Sequence, residues 1–167
     1  MQKDQVALFA AAQEEGRTGV ARKTKPVDAR LATDGEVIVT IIKSEGVETT
    51  SKPASAGDWV VRNRCPETGN EEYLVSAAKF PARYGDAQSE PDAAGYQTFV
   101  PKGTEMNYFI VSQAEGDFSF TAPWGETMVA KPGDAIVQSP SDVADTYRIA
   151  AASFGCTYEI VTQPARP

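Results

Sequence analysis

The sequence predicts a mainly β protein with short helices: two tandem copies of a small half-barrel-like unit, packed as one compact body, plus an N-terminal helix. Three observations predict it. First, a Gly-Asp turn leading into a short apolar strand is written twice, as AGDWVVRN at residues 56–63 and as PGDAIVQS at residues 132–139. Second, Gly57 and Asp58 stand 76 residues before Gly133 and Asp134, while Tyr73, Phe80 and Tyr84 stand 74 residues before Tyr147, Phe154 and Tyr158. The slip between the two spacings falls in a loop, where length changes cost little. Third, the apolar runs are short and bounded by Gly, Pro, Asp and Ser, which is the punctuation of strands joined by turns.

The elements follow in order. Residues 1–19 read as a helix, because KDQVALFAAAQEE is rich in helix formers with apolar Val6, Leu8, Phe9 and Ala12, and GRTG ends it. The first repeat unit spans 20–85, with strands expected at Val27 to Leu31 and Val37 to Ile42 and a third, weaker one after them. Its Gly57-Asp58 turn feeds WVV, a polar loop with Pro66 follows, and YLVS returns as the partner of a hairpin with a long loop. SAAKFPARY then allows at most a turn or two of helix, since Pro81 interrupts it. Residues 86–105, rich in Gly, Pro, Asp and Ala, read as a linker.

The second unit spans 106–163. NYFIVSQ is a strand, and DFSFTAPWGETMVAKPGD places two more around a tight turn at Pro123, Trp124 and Gly125, with Phe118 and Phe120 on one face. AIV and YRIA repeat the hairpin of the first copy around the loop QSPSDVAD. Phe154 and Tyr158, like Phe80 and Tyr84, lie four apart, so a helical turn puts both rings on one face.

Composition narrows the chemistry. Sixteen basic against 23 acidic residues give a net charge of −7, which argues against a grip on nucleic-acid phosphates and reads as a plain solvated surface ahead of mimicry of DNA. The chain has no histidine, so histidine zinc sites, Ser/His/Asp triads and Cys/His pairs are excluded. Cys65 and Cys156 lack CxxC spacing; Cys156 reads as a small buried hydrophobe beside a strand, and Cys65 as a residue of a polar loop. The first residues carry too short an apolar stretch for a signal peptide or a spanning helix, so a cytoplasmic location is expected, with no membrane partner. No phosphate-cradling loop and no cofactor or metal motif occurs.

KPVDARLATDG, AGDWVVRN and EEYLVSAAKFPARY together resemble the PGDYG-like family of small uncharacterised phage and bacterial proteins. The first copy matches from Lys25 to Tyr84 and the second from about Asn107 to Tyr158, although the first reads AGDW where the pattern has Pro. The resemblance implies a fold class and a possible phage or prophage origin, and no activity. DFSFTAPWGETMVAKPGDAIVQSP is also similar to half of a cupin barrel, without the metal-binding histidines.

Few residues stand out for function. Asp58 and Asp134 read as turn caps, or alternatively as the paired carboxylates of an enzyme with its cleft between the copies. Trp59, aligned with Ala135, fills a core or marks a pocket that one copy has kept. Trp124 with Lys131 or Arg148 can form a ligand platform or fold over its own hairpin. Arg62 and Arg64 beside Glu67, Glu71 and Glu72 read as a solvated face, and Tyr73 and Tyr147 open the returning strands. The expected function is a non-catalytic binding or interaction module for a protein or small ligand, with Trp59, Arg62, Tyr73, Trp124, Tyr147 and Arg148 as its contact residues. A carboxylate-dependent enzyme and a virion or assembly component are the alternatives; oligomeric state is left open.

Overall fold

The computed structural model describes residues 2–43 and 45–166. The chain is mainly β, with three short α-helices and antiparallel sheets. It divides into two compact units: a contiguous one, Lys23–Thr104, and a discontinuous one made of Met1–Arg22 and Glu105–Pro167.

The discontinuous unit begins with α1 (Gln5–Glu14), whose Asp4 side chain accepts from the Val6 and Ala7 amides and so satisfies two of the N–H groups the first turn leaves open. Then β1 (Gly19–Lys23) pairs antiparallel with β8 (Met106–Ile110), Gly19 opposite Tyr108. On the other side of β8 lies β11 (Ala135–Ser139), followed by β12 (Asp142–Ile149); with β13 (Tyr158–Thr162) the sheet order is β12-β11-β8-β1-β13. Phe109 and Ile136 face one way, into a core with Phe9 and Ala12 of α1 and Phe118, Phe120 and Met128 of a separate hairpin, β9 (Phe118–Thr121) and β10 (Thr127–Ala130). Tyr108, Ala135 and Val137 face the other way, onto Phe154 of α3 (Ala151–Thr157). Alternation along β8 and β11 thus feeds both faces, as a fully covered central strand requires.

The contiguous unit repeats the first three places of that order. β2 (Val27–Leu31) pairs with β5 (Trp59–Asn63), β5 with β6 (Glu72–Val75), and β7 (Gln97–Phe99) closes the other edge of β2, giving β6-β5-β2-β7, with β6-β5-β2 standing where β12-β11-β8 stand. A separate hairpin, β3 (Val39–Ile42) and β4 (Gly46–Thr50), occupies the place in the chain that β9 and β10 hold in the other unit. Val27, Ala29, Val61, Val75 and Phe99 pack with Phe80 and Tyr84, which lie in and just after α2 (Phe80–Arg83).

Registers carry the correspondence down to single residues. Trp59 faces Val75 and Val61 faces Tyr73, just as Ala135 faces Ile149 and Val137 faces Tyr147. Gly57 and Gly133 both have positive φ, +91° and +96°, which places Asp58 and Asp134 in equivalent turns. Asp58 accepts from the Ser55 amide at 2.9 Å and the Ala77 amide at 3.0 Å; Asp134 accepts from the Lys131 amide at 2.9 Å and the Ala151 amide at 3.0 Å. Each carboxylate therefore pins the strand's start to the chain that leaves the returning strand.

Several expectations shift. The stretch 86–105, expected as a linker, carries β7, hydrogen-bonded to β2. Residues 19–23, placed by sequence at the end of the helix and the start of the first copy, form a strand of the other unit's sheet. Pro81 sits in the first turn of α2, where its missing N–H costs nothing, and so starts that helix. In the second hairpin β12 begins already at Asp142, because Ser139 and Ser141 close a tight turn with a side-chain hydrogen bond of 3.1 Å. Burial of the cysteines is the reverse of that expected: Cys65 is fully buried beneath the loop that Asn70 ties to its amide, and Cys156 is half-buried. Among the described residues no helix is long and apolar enough to cross a membrane.

Candidate functional site

A cleft of about 560 Å³ opens on the contiguous unit, lined by Asp28, Arg62, Asn63, Arg64, Gly69, Asn70, Glu72 and Tyr96. Its floor is built by neighbouring strands. Asp28 on β2 faces Arg62 on β5, which faces Glu72 on β6, so three charged side chains follow one another across the sheet. Tyr96 comes from the residue just before β7.

Arg64 is held rigidly. Its Nη2 and Nε donate to the two oxygens of Asp28 at 2.8 and 3.3 Å, and Nη2 also reaches the Thr98 hydroxyl at 2.8 Å. This fork, with Arg62 3.5 Å away, holds the Asp28 carboxyl below its ordinary range against the opposing effect of partial burial. Arg62 lies over the Tyr96 ring, 4.0 Å from its centre, and Arg30 lies 5.6 Å from the same ring. The Tyr96 hydroxyl donates a short hydrogen bond to Glu72. Burial, reinforced by the neighbouring Glu72 carboxylate, raises the Tyr96 phenol above its usual value, so it stays protonated as that donor. Arg30 in turn makes a two-pronged pair with Glu36, at 2.6 and 3.0 Å.

Behind the cleft is a second polar group. Lys23 Nζ donates to Asn63 Oδ1 at 2.9 Å, to the Tyr73 hydroxyl at 2.5 Å and to the Tyr84 hydroxyl at 3.2 Å, and the two phenols lie 3.1 Å apart. Deep burial alone would raise the Tyr84 phenol. The Lys23 charge and the hydrogen bonds from Tyr73 and Lys23 outweigh it and bring the phenol below its ordinary value. Because Asn63 Oδ1 is taken, the amide orientation is settled and its Nδ2 remains as a donor.

Of the residues expected to make contacts, Arg62 lines the cleft and Tyr73 belongs to the group behind it. Trp59 stacks on Phe80, centres 4.3 Å apart and planes within 9°, and meets Phe99 edge-on, so it serves the core of its own unit. Trp124 and Tyr147 pack on each other and against the core beneath α1. Arg148, expected beside Trp124, points inward: it is 5 % exposed and its Nε donates to Asp134 at 2.8 Å. Both oxygens of Asp58 and both of Asp134 are already engaged by backbone amides.

Sequence reasoning missed Asp28 and Tyr96 as site residues and read Arg64 and Glu72 as part of a solvated face. Charged residues at alternate strand positions look like ordinary surface, and Tyr96 sits in the stretch read as linker. The register is what gathers them. In the discontinuous unit the positions equivalent to Asp28, Arg62 and Glu72 are Asn107, Gln138 and Thr146, related by the same pairings. There Gln138 donates to the Thr146 hydroxyl at 3.0 Å, and both are buried, so the place is neutral and closed.

Comparison of the chain with family models, with curated proteins and with solved structures returns no match in any of the three.

Proposed function

We propose that the protein is a non-catalytic binding module, descended from an internal duplication, whose contiguous unit holds a small polar ligand in the cleft around Arg62. One contrast carries this reading: equivalent positions across the two sheets are charged and open in one unit, Arg62 and Glu72, and neutral and buried in the other, Gln138 and Thr146. An Arg, a Glu and an Asp lined up on one open sheet face give the contiguous unit a charged recess that the equivalent positions of the other unit do not form. The shared strand order, the matching Asp58 and Asp134 contacts and the resemblance of both copies to one small family support the duplication.

Binding is favoured over catalysis because both oxygens of each carboxylate that an enzyme reading would use are engaged by backbone amides. The test is an NMR screen of small polar metabolites against the isotopically labelled full chain. Ligands are expected to shift the Asn70 side-chain amide, the Tyr96 ring and the Arg62 amide, and to leave Gln138 unmoved. Shifts centred on Asp58 or Asp134 with turnover of the added compound would overturn the proposal in favour of an enzyme.

A further inference from the structure

Arg62 and Glu72 are direct cross-strand partners on one face of an antiparallel pair, the arrangement in which opposite charges ordinarily close an ion pair. Among the described residues no ion pair joins them. Tyr96 keeps them apart: the Arg62 guanidinium is drawn onto its ring and Glu72 onto its hydroxyl. A positive and a negative head are thus held next to each other, facing a cleft, without neutralising one another.

The surrounding side chains sort into the same two poles. Asp28 is shared between the Arg64 fork and Arg62, 3.5 Å away, so these three side chains together keep one positive charge. One further donor lies beside Arg62 in the lining, and it is Asn70. Asn63, next to Arg62 along β5, turns its side chain to the opposite face of the sheet, where Lys23 and Tyr73 hold its oxygen. Asn70 likewise commits its oxygen, to the Cys65 amide, and keeps its Nδ2. Glu72 has one oxygen bound to Tyr96 and a second oxygen with no donor among the described residues.

Resting on the reading of this cleft as a ligand site, we infer that its ligand is a small zwitterion, an α-amino acid being the simplest member. The carboxylate lies on Arg62 with the side-chain amide of Asn70, and the ammonium lies on Glu72. The lining holds two cationic and two anionic side chains, so a ligand of no net charge with separated poles matches it, while a phosphate dianion meets Asp28 and Glu72 and a simple cation meets Arg62 and Arg64. The absence of any aliphatic side chain in the lining argues against an apolar ligand.

The experiment is calorimetric and NMR titration of the full chain with each common α-amino acid, its des-amino carboxylic acid and its decarboxylated amine, with inorganic phosphate as a separate probe. At least one amino acid is expected to bind and to shift the Asn70 side-chain amide, with both half-molecules weaker by about tenfold or more. Arg62→Gln and Glu72→Gln should each weaken it by a similar factor with the melting temperature unchanged, since both side chains are half-exposed. If a carboxylic acid or phosphate binds as well as any amino acid, the zwitterion assignment falls while the ligand-site reading stands. If no probe, and no compound of the metabolite screen, shifts the cleft residues, both fall.

Discussion

Asp58 and Asp134 hold the same position in the two units, make the same two hydrogen bonds, and should nonetheless differ sharply when each is replaced by alanine. In Asp58→Ala the amides of Ser55 and Ala77 lose their acceptor; both residues are exposed, so water takes over, and the cost is that of a lost cap, about 1–2 kcal/mol. Asp134→Ala loses the equivalent pair of bonds for a similar sum. It also removes the carboxylate from a buried ion pair in which the two side chains are 4 % and 5 % exposed. Breaking such a pair from one side costs about 3–5 kcal/mol, so Asp134→Ala should total about 4–7 kcal/mol, a large share of a domain's stability. The chain supplies its own reporters, since its two tryptophans lie one in each unit. Urea unfolding followed by Trp59 alone, in a Trp124→Phe background, reads the contiguous unit, and the converse background reads the other. The reasoning is refuted if the two substitutions cost the same within about 1 kcal/mol. It is refuted equally if Asp134→Ala combined with Arg148→Met recovers none of the loss, because an apolar replacement of both partners should restore part of it.

Three other outcomes are expected. The Arg30 guanidinium and the Thr33 amide depress the Glu36 carboxyl to about 2 from an ordinary 4.5; its stabilisation is therefore complete above pH 4.5 and is lost as pH falls toward 2. Screening at this half-exposed pair holds the effect to about 1 kcal/mol, and Glu36→Gln should flatten the acid limb of the stability curve by that amount. Lys23→Met should raise the Tyr84 phenol, since burial remains while the largest opposing charge goes; phenolate absorbance against pH, with Tyr84→Phe for assignment, reads the change. Trp59→Ala, which removes the ring stacked on Phe80, should destabilise the contiguous unit by about 3 kcal/mol, read by amide hydrogen exchange in β2 and β5, and unchanged protection there would show that the stack contributes little.

Much of the fold was legible because its signals are local and repeated. The Gly-Asp turns, the Tyr73 and Tyr147 strand starts and the Phe80 and Phe154 rings recur at nearly constant spacing, and each residue is chosen by the turn or face it occupies. What escaped is set by distant pairing. β1 reads Gly-Val-Ala-Arg-Lys and β7 reads Gln-Thr-Phe, too short and too mixed to show a period, and each is a strand only because β8 or β2 offers it an edge. The cleft escaped for the same reason. Arg62 drew notice as a charge beside a polar loop, but nothing in the order of residues says that Glu72 stands opposite it or that Tyr96 comes between them. Arg148 misled in the other direction: a guanidinium reads as surface until Asp134 is known to meet it indoors.

The division of the chain also bears on the order in which it is made. Residues 23–104 form a unit with no break, so all its strands are present once that stretch has left the ribosome. The other unit cannot complete its sheet then, because β1 needs β8, which is synthesised more than eighty residues later. Translation therefore sets a timetable in which the half that carries the cleft matures first, while α1 and β1 wait for the tail of the polypeptide to arrive.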